Sequence, residues 1–109
     1  MLRTKSQVRA ICNECPLAET ANIIGDTFTL LIIRDLLTKP KRFGELEKSL
    51  SGVSSRTITK KLIYLEEKGL VNRKEFSEKP PKVEYSLTKN GKALSKIIES
   101  MRGYGSKYL

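Results

Sequence analysis

At 109 residues the chain is long enough to bury one core without disulfide staples, and short enough that a single domain is expected. Its 21 lysines and arginines against 12 acids leave a net charge of +9, which points to a polyanionic partner, nucleic acid before an anionic membrane surface. There is no histidine for acid–base work near neutral pH, no glycine-rich phosphate loop and no paired-carboxylate site, so an enzyme is not expected and no cofactor is implied.

The chain opens on a basic arm, residues 1–11, carrying Arg3, Lys5 and Arg9. It has no apolar stretch of the kind a secretory signal needs. The most apolar run, "FTLLIIRDLL", is short and interrupted by Arg34 and Asp35, so no membrane span and no membrane partner are expected. Two cysteines, Cys12 and Cys15, do not make a disulfide framework. The expected compartment is the cytoplasm, with both thiols reduced at rest.

Cys15-Pro16 reads as a helix start, because proline suits the first helical position, and Gly25 ends that helix after Ile24. Asp26 caps a second helix, "TFTLLIIRDLLT", which is apolar almost all round and should be central to the core, with Phe28 filling an aromatic core role. Lys39-Pro40 stops it. "RFGELEKSL" predicts a short third helix that buries Phe43, Leu46 and Leu50, and Ser51-Gly52 is a turn. Ser54 caps a fourth helix that runs to Gly69, which takes the left-handed closing position.

The hydrophobic period then changes. "LVNRKEF" and "KVEYSLT" alternate as strands do, and "SEKPPK" between them is a hairpin tip. Thr88 caps a last helix in which Leu94, Ile97, Ile98 and Met101 recur at helical spacing, with Tyr104 and Tyr108 beyond. Two helices joined by a tight turn and followed at once by a hairpin make a winged helix-turn-helix. The fold class is therefore α+β, mostly α. The helix-turn-helix lies at about residues 43–68, the wing at 70–88, the C-terminal helix at 89–103, and a tail at 106–109.

The fourth helix carries the chemistry. On a wheel of about 100° per residue, Ile58, Leu62 and Leu65 share an inward face, while Arg56, Lys60 and Ile63 fall roughly opposite with Thr59 at the flank. Its first two turns hold Ser54, Ser55, Arg56, Thr57, Thr59 and Lys60, with no acid before Glu66. Arginine can grip guanine O6 and N7 with two hydrogen bonds, hydroxyls can meet several base edges, and lysines can hold phosphates. Arg56 is the expected main base reader, supported by Ser55, Thr59 and Lys60. Lys41 and Arg42, leading into the third helix, are candidate clamps on the flanking backbone, and Lys79 and Lys82 flank the wing tip as phosphate or minor-groove contacts. The bland reading is a set of solvated basic faces. Two other functions remain alternatives: a winged helix that coats DNA without sequence preference, and a protein–protein adaptor.

Three blocks in order carry a family resemblance: "CPLAETANIIGDTFTLLIIRDLL", "KRFGELEKSLSGVSSRTITKKLIYLEEKGLVNRK" and "PPKVEYSLTKNGKAL". Over roughly residues 12–105 the chain resembles the HxlR family of bacterial and archaeal transcriptional regulators, relatives of the MarR winged helices. The resemblance implies a homodimer that binds a pseudo-palindromic double-stranded DNA operator and uses its first and last helices for dimerisation. The apolar stripe of the last helix supports that dimer separately; with Leu17 it gives an expected interface of Leu17, Leu94, Ile97, Ile98, Met101 and Tyr104. Phe28 departs from the tryptophan common in the family.

The resemblance also implies redox or electrophile sensing through Cys15, the cysteine of the Cys-Pro pair, while Cys12 leaves open which sulfur reacts. A sulfur at a helix N-cap meets the free N–H groups of the first turn. The plain alternative is a small residue packed under the first helix. Cys12 and Cys15 supply only two soft ligands, so no metal is expected: tetrahedral zinc would need the pairs of two subunits.

Overall fold

Asp26 starts the helix around which the domain is built. In the computed structural model, which describes residues 15–109, its carboxylate Oδ2 accepts from the Thr29 N–H and the Thr29 hydroxyl, both at 2.9 Å. The basic arm and Cys12 lie outside the described residues. The elements are α1 (Pro16–Ile24), α2 (Thr27–Thr38), β1 (Lys41–Arg42), α3 (Phe43–Ser49), α4 (Ser55–Glu67), β2 (Val71–Phe76), β3 (Lys82–Leu87), α5 (Lys89–Lys92) and α6 (Ser95–Tyr108). None of these helices is long and apolar enough to cross a membrane.

Helix α2 buries Thr29, Ile32, Ile33 and Leu36. Phe28 does not fill the core role expected of it and is 39% exposed. It lies about 90° around the helix from the centre of the buried arc, so its ring leaves the packed face. The core also takes Ile24 of α1, Leu46 and Leu50 from α3 and its end, Ile58, Leu62 and Leu65 of α4, Leu70, Val71 and Leu87 at the base of the hairpin, and Ile98 of α6. Phe43 is half-buried against it.

The hairpin is part of a three-stranded antiparallel sheet in the order β1-β3-β2. Residues Lys41 and Arg42, expected only as a basic approach to α3, pair with Tyr85 and Glu84 as the third strand. Two residues are too few to show strand alternation, and their pairing is decided by β3 lying alongside. The register of β2 on β3 puts Val71 opposite Leu87 on the core face, and Lys74 opposite Glu84 and Phe76 opposite Lys82 on the outer face.

Both turns flanking α4 use glycine where the backbone needs it: Gly52 has φ +91° and Gly69 has φ +73°. After α4 the Leu70 N–H reaches back to the Leu65 carbonyl at 2.9 Å, so the chain reverses at once into β2. At the other end of the hairpin Thr88 donates its hydroxyl to the Gly69 carbonyl at 2.7 Å and its N–H to the Leu70 carbonyl at 3.0 Å. The same hydroxyl oxygen accepts from the Gly91 N–H and caps α5. Gly91 is buried so tightly that a Cβ would stand 2.2 Å from the Leu70 carbonyl oxygen.

The single C-terminal helix expected over 89–103 is instead two. The turn α5 ends with the Leu94 N–H bonding the Gly91 carbonyl, a three-residue step, and α6 then continues to Tyr108 through most of the expected tail.

Replacing Gly91 with alanine should therefore lower stability by about 1–3 kcal/mol, because the contacted atom is backbone and cannot rotate away; the urea midpoint should fall with an unchanged slope. Burial works to raise the Asp26 pKa, but the Thr29 N–H and hydroxyl together with Lys61, at 3.2 Å, outweigh it and hold it below the ordinary 3.8. A carboxyl whose folded pKa lies below its unfolded one stabilises fully above the unfolded value and loses that contribution as pH falls through the folded one. Asp26→Ala should accordingly lower stability by about 1 kcal/mol at pH 7, and its deficit relative to wild type should shrink as unfolding is measured at successively lower pH below 3.8.

Candidate nucleic-acid interface

The helix-turn-helix places α4 with Ile58, Leu62 and Leu65 buried and its opposite face in water. Its N-terminus is built from its own hydroxyls. Ser54 Oγ accepts from the Thr57 N–H at 3.1 Å, and the Ser54 hydroxyl donates to Thr57 Oγ1 at 2.9 Å. Ser55 donates its hydroxyl to Glu47 Oε2 at 2.5 Å, tying the first turn of α4 to α3. Lys61 pairs with Asp26, tying the flank of α4 to the start of α2.

The residues expected on this surface thus divide by what they already hold. Ser54 and Thr57 are occupied as a cap, and Ser55 is occupied by Glu47. Arg56, Thr59 and Lys60 are exposed, and their side chains enter no hydrogen bond or ion pair among the described residues. They stand on one face of the first two turns, next to the positive end of the helix dipole.

On the sheet, Lys79 is exposed at the hairpin tip. Lys82 is not a free tip cation: it is half-buried, its ammonium lies 4.8 Å from the centre of the Phe76 ring, and it pairs with Glu84 at 3.5 Å. Lys74 lies over the same ring at 5.0 Å. Sequence reasoning did not select Lys74 and Phe76 as a unit. Counting outward from Val71 opposite Leu87 would have found them, since the register puts Lys74, Phe76, Lys82 and Glu84 on one face. Arg42 is exposed beside Glu84 through β1, and Lys41 is half-buried opposite Tyr85. The Arg42 N–H, donated to Glu45 at the start of α3, holds the Glu45 carboxyl below its ordinary range.

A second surface is apolar and lies on other helices. Pro16, Leu17, Ala21, Leu30, Ile97 and Met101 line an apolar groove of about 590 Å³ between α1, α2 and α6. Leu17 is 78% exposed, Ile97 and Met101 are exposed, and Tyr104 continues the face with its ring 5.0 Å from that of Tyr108. The stripe expected for an interface splits here. Ile98, 8% exposed, belongs to the domain's own core and Leu94 packs half-buried against it, because the inward face of α6 covers α2. Cys15 caps α1 at the edge of this surface: its half-buried sulfur accepts from the Ala18 N–H at 3.4 Å.

Residues 23–109 match the HxlR-like helix-turn-helix family. The HTH-type transcriptional regulator BH0655 of Halalkalibacterium halodurans is 37% identical over 108 residues, covering 98% of this chain and 95% of that protein. A structure described as a MarR-family transcriptional regulator of Porphyromonas gingivalis W83 superposes with a TM-score of 0.83 at 32% identity, over 100% of this chain and 99% of that one. The redox regulator HypR in its oxidised form superposes with a TM-score of 0.82 at 33% identity, over 87% and 98% of the two chains. With its tight turn, exposed basic helix and antiparallel wing, the chain belongs to the HxlR-like helix-turn-helix family and is a winged-helix transcriptional regulator related to the MarR proteins.

Proposed function

We propose that the protein binds double-stranded DNA sequence-specifically as a homodimer, and that the state of Cys15 alters that binding. The observation that carries this reading is the unengaged face of α4. Arg56, Thr59 and Lys60 project from the end of a helix whose other face is fully buried and whose first turn is pinned by Ser54 and by the Ser55–Glu47 bond. Arg56 reads a guanine edge in the major groove, Thr59 supports it, and Lys60 holds phosphate. Lys79 at the wing tip, with Lys41 and Arg42 on β1, contacts the flanking backbone.

The apolar groove between α1, α2 and α6 favours a homodimer, because Leu17, Ile97, Met101 and Tyr104 form an exposed apolar surface on the end helices. Two α4 helices related by a twofold axis then meet half-sites separated by a whole number of helical turns, roughly 34 Å each. Cys15 stands where α1 enters that surface. Oxidation that links its sulfur to a second thiol draws it away from the Ala18 N–H and disturbs the start of α1, which couples oxidation to the spacing of the two reading helices. HypR supports this part of the reading, as a redox regulator with the same fold.

Binding is tested by fluorescence anisotropy against duplexes selected from a random library, at about 150 mM salt, where purely phosphate-driven binding is weakened. Arg56→Ala should lose about 5- to 150-fold in affinity for the selected duplex with an unchanged melting temperature. Lys60→Ala should weaken all duplexes alike and reduce the slope of log affinity on log salt by about 0.9. An Arg56→Ala protein that binds the selected duplex as tightly as wild type would exclude Arg56 as the base reader, whereas a wild type that binds every duplex alike would leave the coating function standing, and one that binds none the adaptor. Diamide should change the affinity of the wild type and not that of Cys15→Ser; a Cys15→Ser protein that still responds to the oxidant excludes that residue as the sensor.

A further inference from the structure

We propose that Ile63 is a specificity-determining residue of the DNA surface, with its side chain against the C5-methyl group of a thymine in the major groove. This rests on the reading of α4 as the helix that enters that groove. Ile63 is 50% exposed, and it is the one exposed large hydrophobic residue that α4 carries. The others among the described residues, such as Leu17, Phe28, Ile97 and Met101, belong to α1, α2, α6 and the C-terminus. Ile63 therefore has no place in the apolar groove. A branched side chain on the water face of a helix also forgoes the better propensity of lysine or glutamate.

Its position is specific. Arg56, Thr59, Lys60 and Ile63 stand at i, i+3, i+4 and i+7, the spacing with which three-helix DNA-binding domains present side chains to base edges. Seven residues return Ile63 to within about 20° of Arg56, roughly 10.5 Å further along the axis, which is comparable to the width of the major groove, about 12 Å. One turn beyond, the same face reaches the exposed carboxylates of Glu66 and Glu67, which phosphates repel. Ile63 is thus the last residue on the face that a duplex can approach. It has no donor or acceptor, so it gives nothing to phosphates or polar base edges. The apolar group that the major groove offers is the thymine methyl.

The test is selection of duplexes from a random library at about 150 mM salt by the full-length wild type, Ile63→Ala, Ile63→Val and Arg56→Ala. The wild type should enrich a motif with a fixed T·A pair in each half-site. Ile63→Ala should lose preference at that pair alone, Ile63→Val should keep it, and Arg56→Ala should lose preference at a different pair. In the best selected duplex, deoxyuridine in place of that thymine should weaken wild-type binding about fourfold, the scale of one methyl contact, and leave Ile63→Ala unaffected. The proposal is overturned if Ile63→Ala enriches the wild-type motif unchanged, if it loses preference at every pair, or if deoxyuridine weakens both proteins equally. Enrichment of nothing by the wild type would overturn the recognition-helix reading itself and this assignment with it, whereas a wild-type motif indifferent to Ile63 overturns this assignment alone.

Discussion

Burial of one face of α4 is the constraint on which the rest of the molecule depends. Ile58, Leu62 and Leu65 are withdrawn from water almost completely, against α2, α3 and the base of the sheet. Turning the helix about its axis would expose these three side chains, at about 1.5–3 kcal/mol each. The orientation of Arg56, Thr59 and Lys60 is therefore a consequence of packing on the opposite side. Polar contacts set the finer position: the Ser54 cap fixes the first turn, Ser55 ties it to Glu47, and Lys61 ties the flank to Asp26. Three of the hydroxyls that look available to DNA in the sequence are thus spent on holding the helix that carries the free side chains.

The wing is positioned by a different device. Its two strands leave from and return to the same place, and the Gly69–Leu70 carbonyls receive the hydroxyl and N–H of Thr88 there. Gly91 completes the clamp because only a residue without a Cβ lets α5 approach the Leu70 carbonyl. The end of α4, the root of the hairpin and the start of the C-terminal helices are consequently one rigid joint.

The wing's charge is less available than its composition suggests. Lys74 and Lys82 both lie over the Phe76 ring, and Glu84 pairs with Lys82. Contacts between ammonium and ring hold the two lysines along the outer sheet face, while Lys79 alone is left exposed at the tip. Among the described residues, Arg56 and Lys60 stay unpaired at the start of α4, beside the positive end of the helix dipole, whereas Lys74 and Lys82 of the wing are engaged.

Much of this was legible in one dimension, because it depends on local chemistry. The caps at Asp26, Ser54 and Thr88, the glycines at Gly52 and Gly69, the inward stripe of α4 and the alternation of β2 and β3 follow from residues within a few positions of one another, and the structure has each of them in place. Tertiary structure alone decided the matters that depend on distant neighbours. Strand β1 exists because β3 runs beside it. Phe28 faces partly outward because the buried arc of α2 was chosen by the helices around it. Ile98 and Leu94 joined the core while Ile97 and Met101 stayed outside, since an apolar stripe marks which residues avoid water without saying against what. The fate of Ser55 was settled by Glu47, eight residues earlier on α3, and that of Lys82 by the Phe76 ring across the hairpin, partners that meet only in the folded chain. Sequence determined the long helices and the two wing strands, because those are set by backbone stereochemistry and hydrophobic period; only the fold decided the third strand, the arcs that α2 and α6 bury and which polar groups were left free, because partners are assigned in three dimensions.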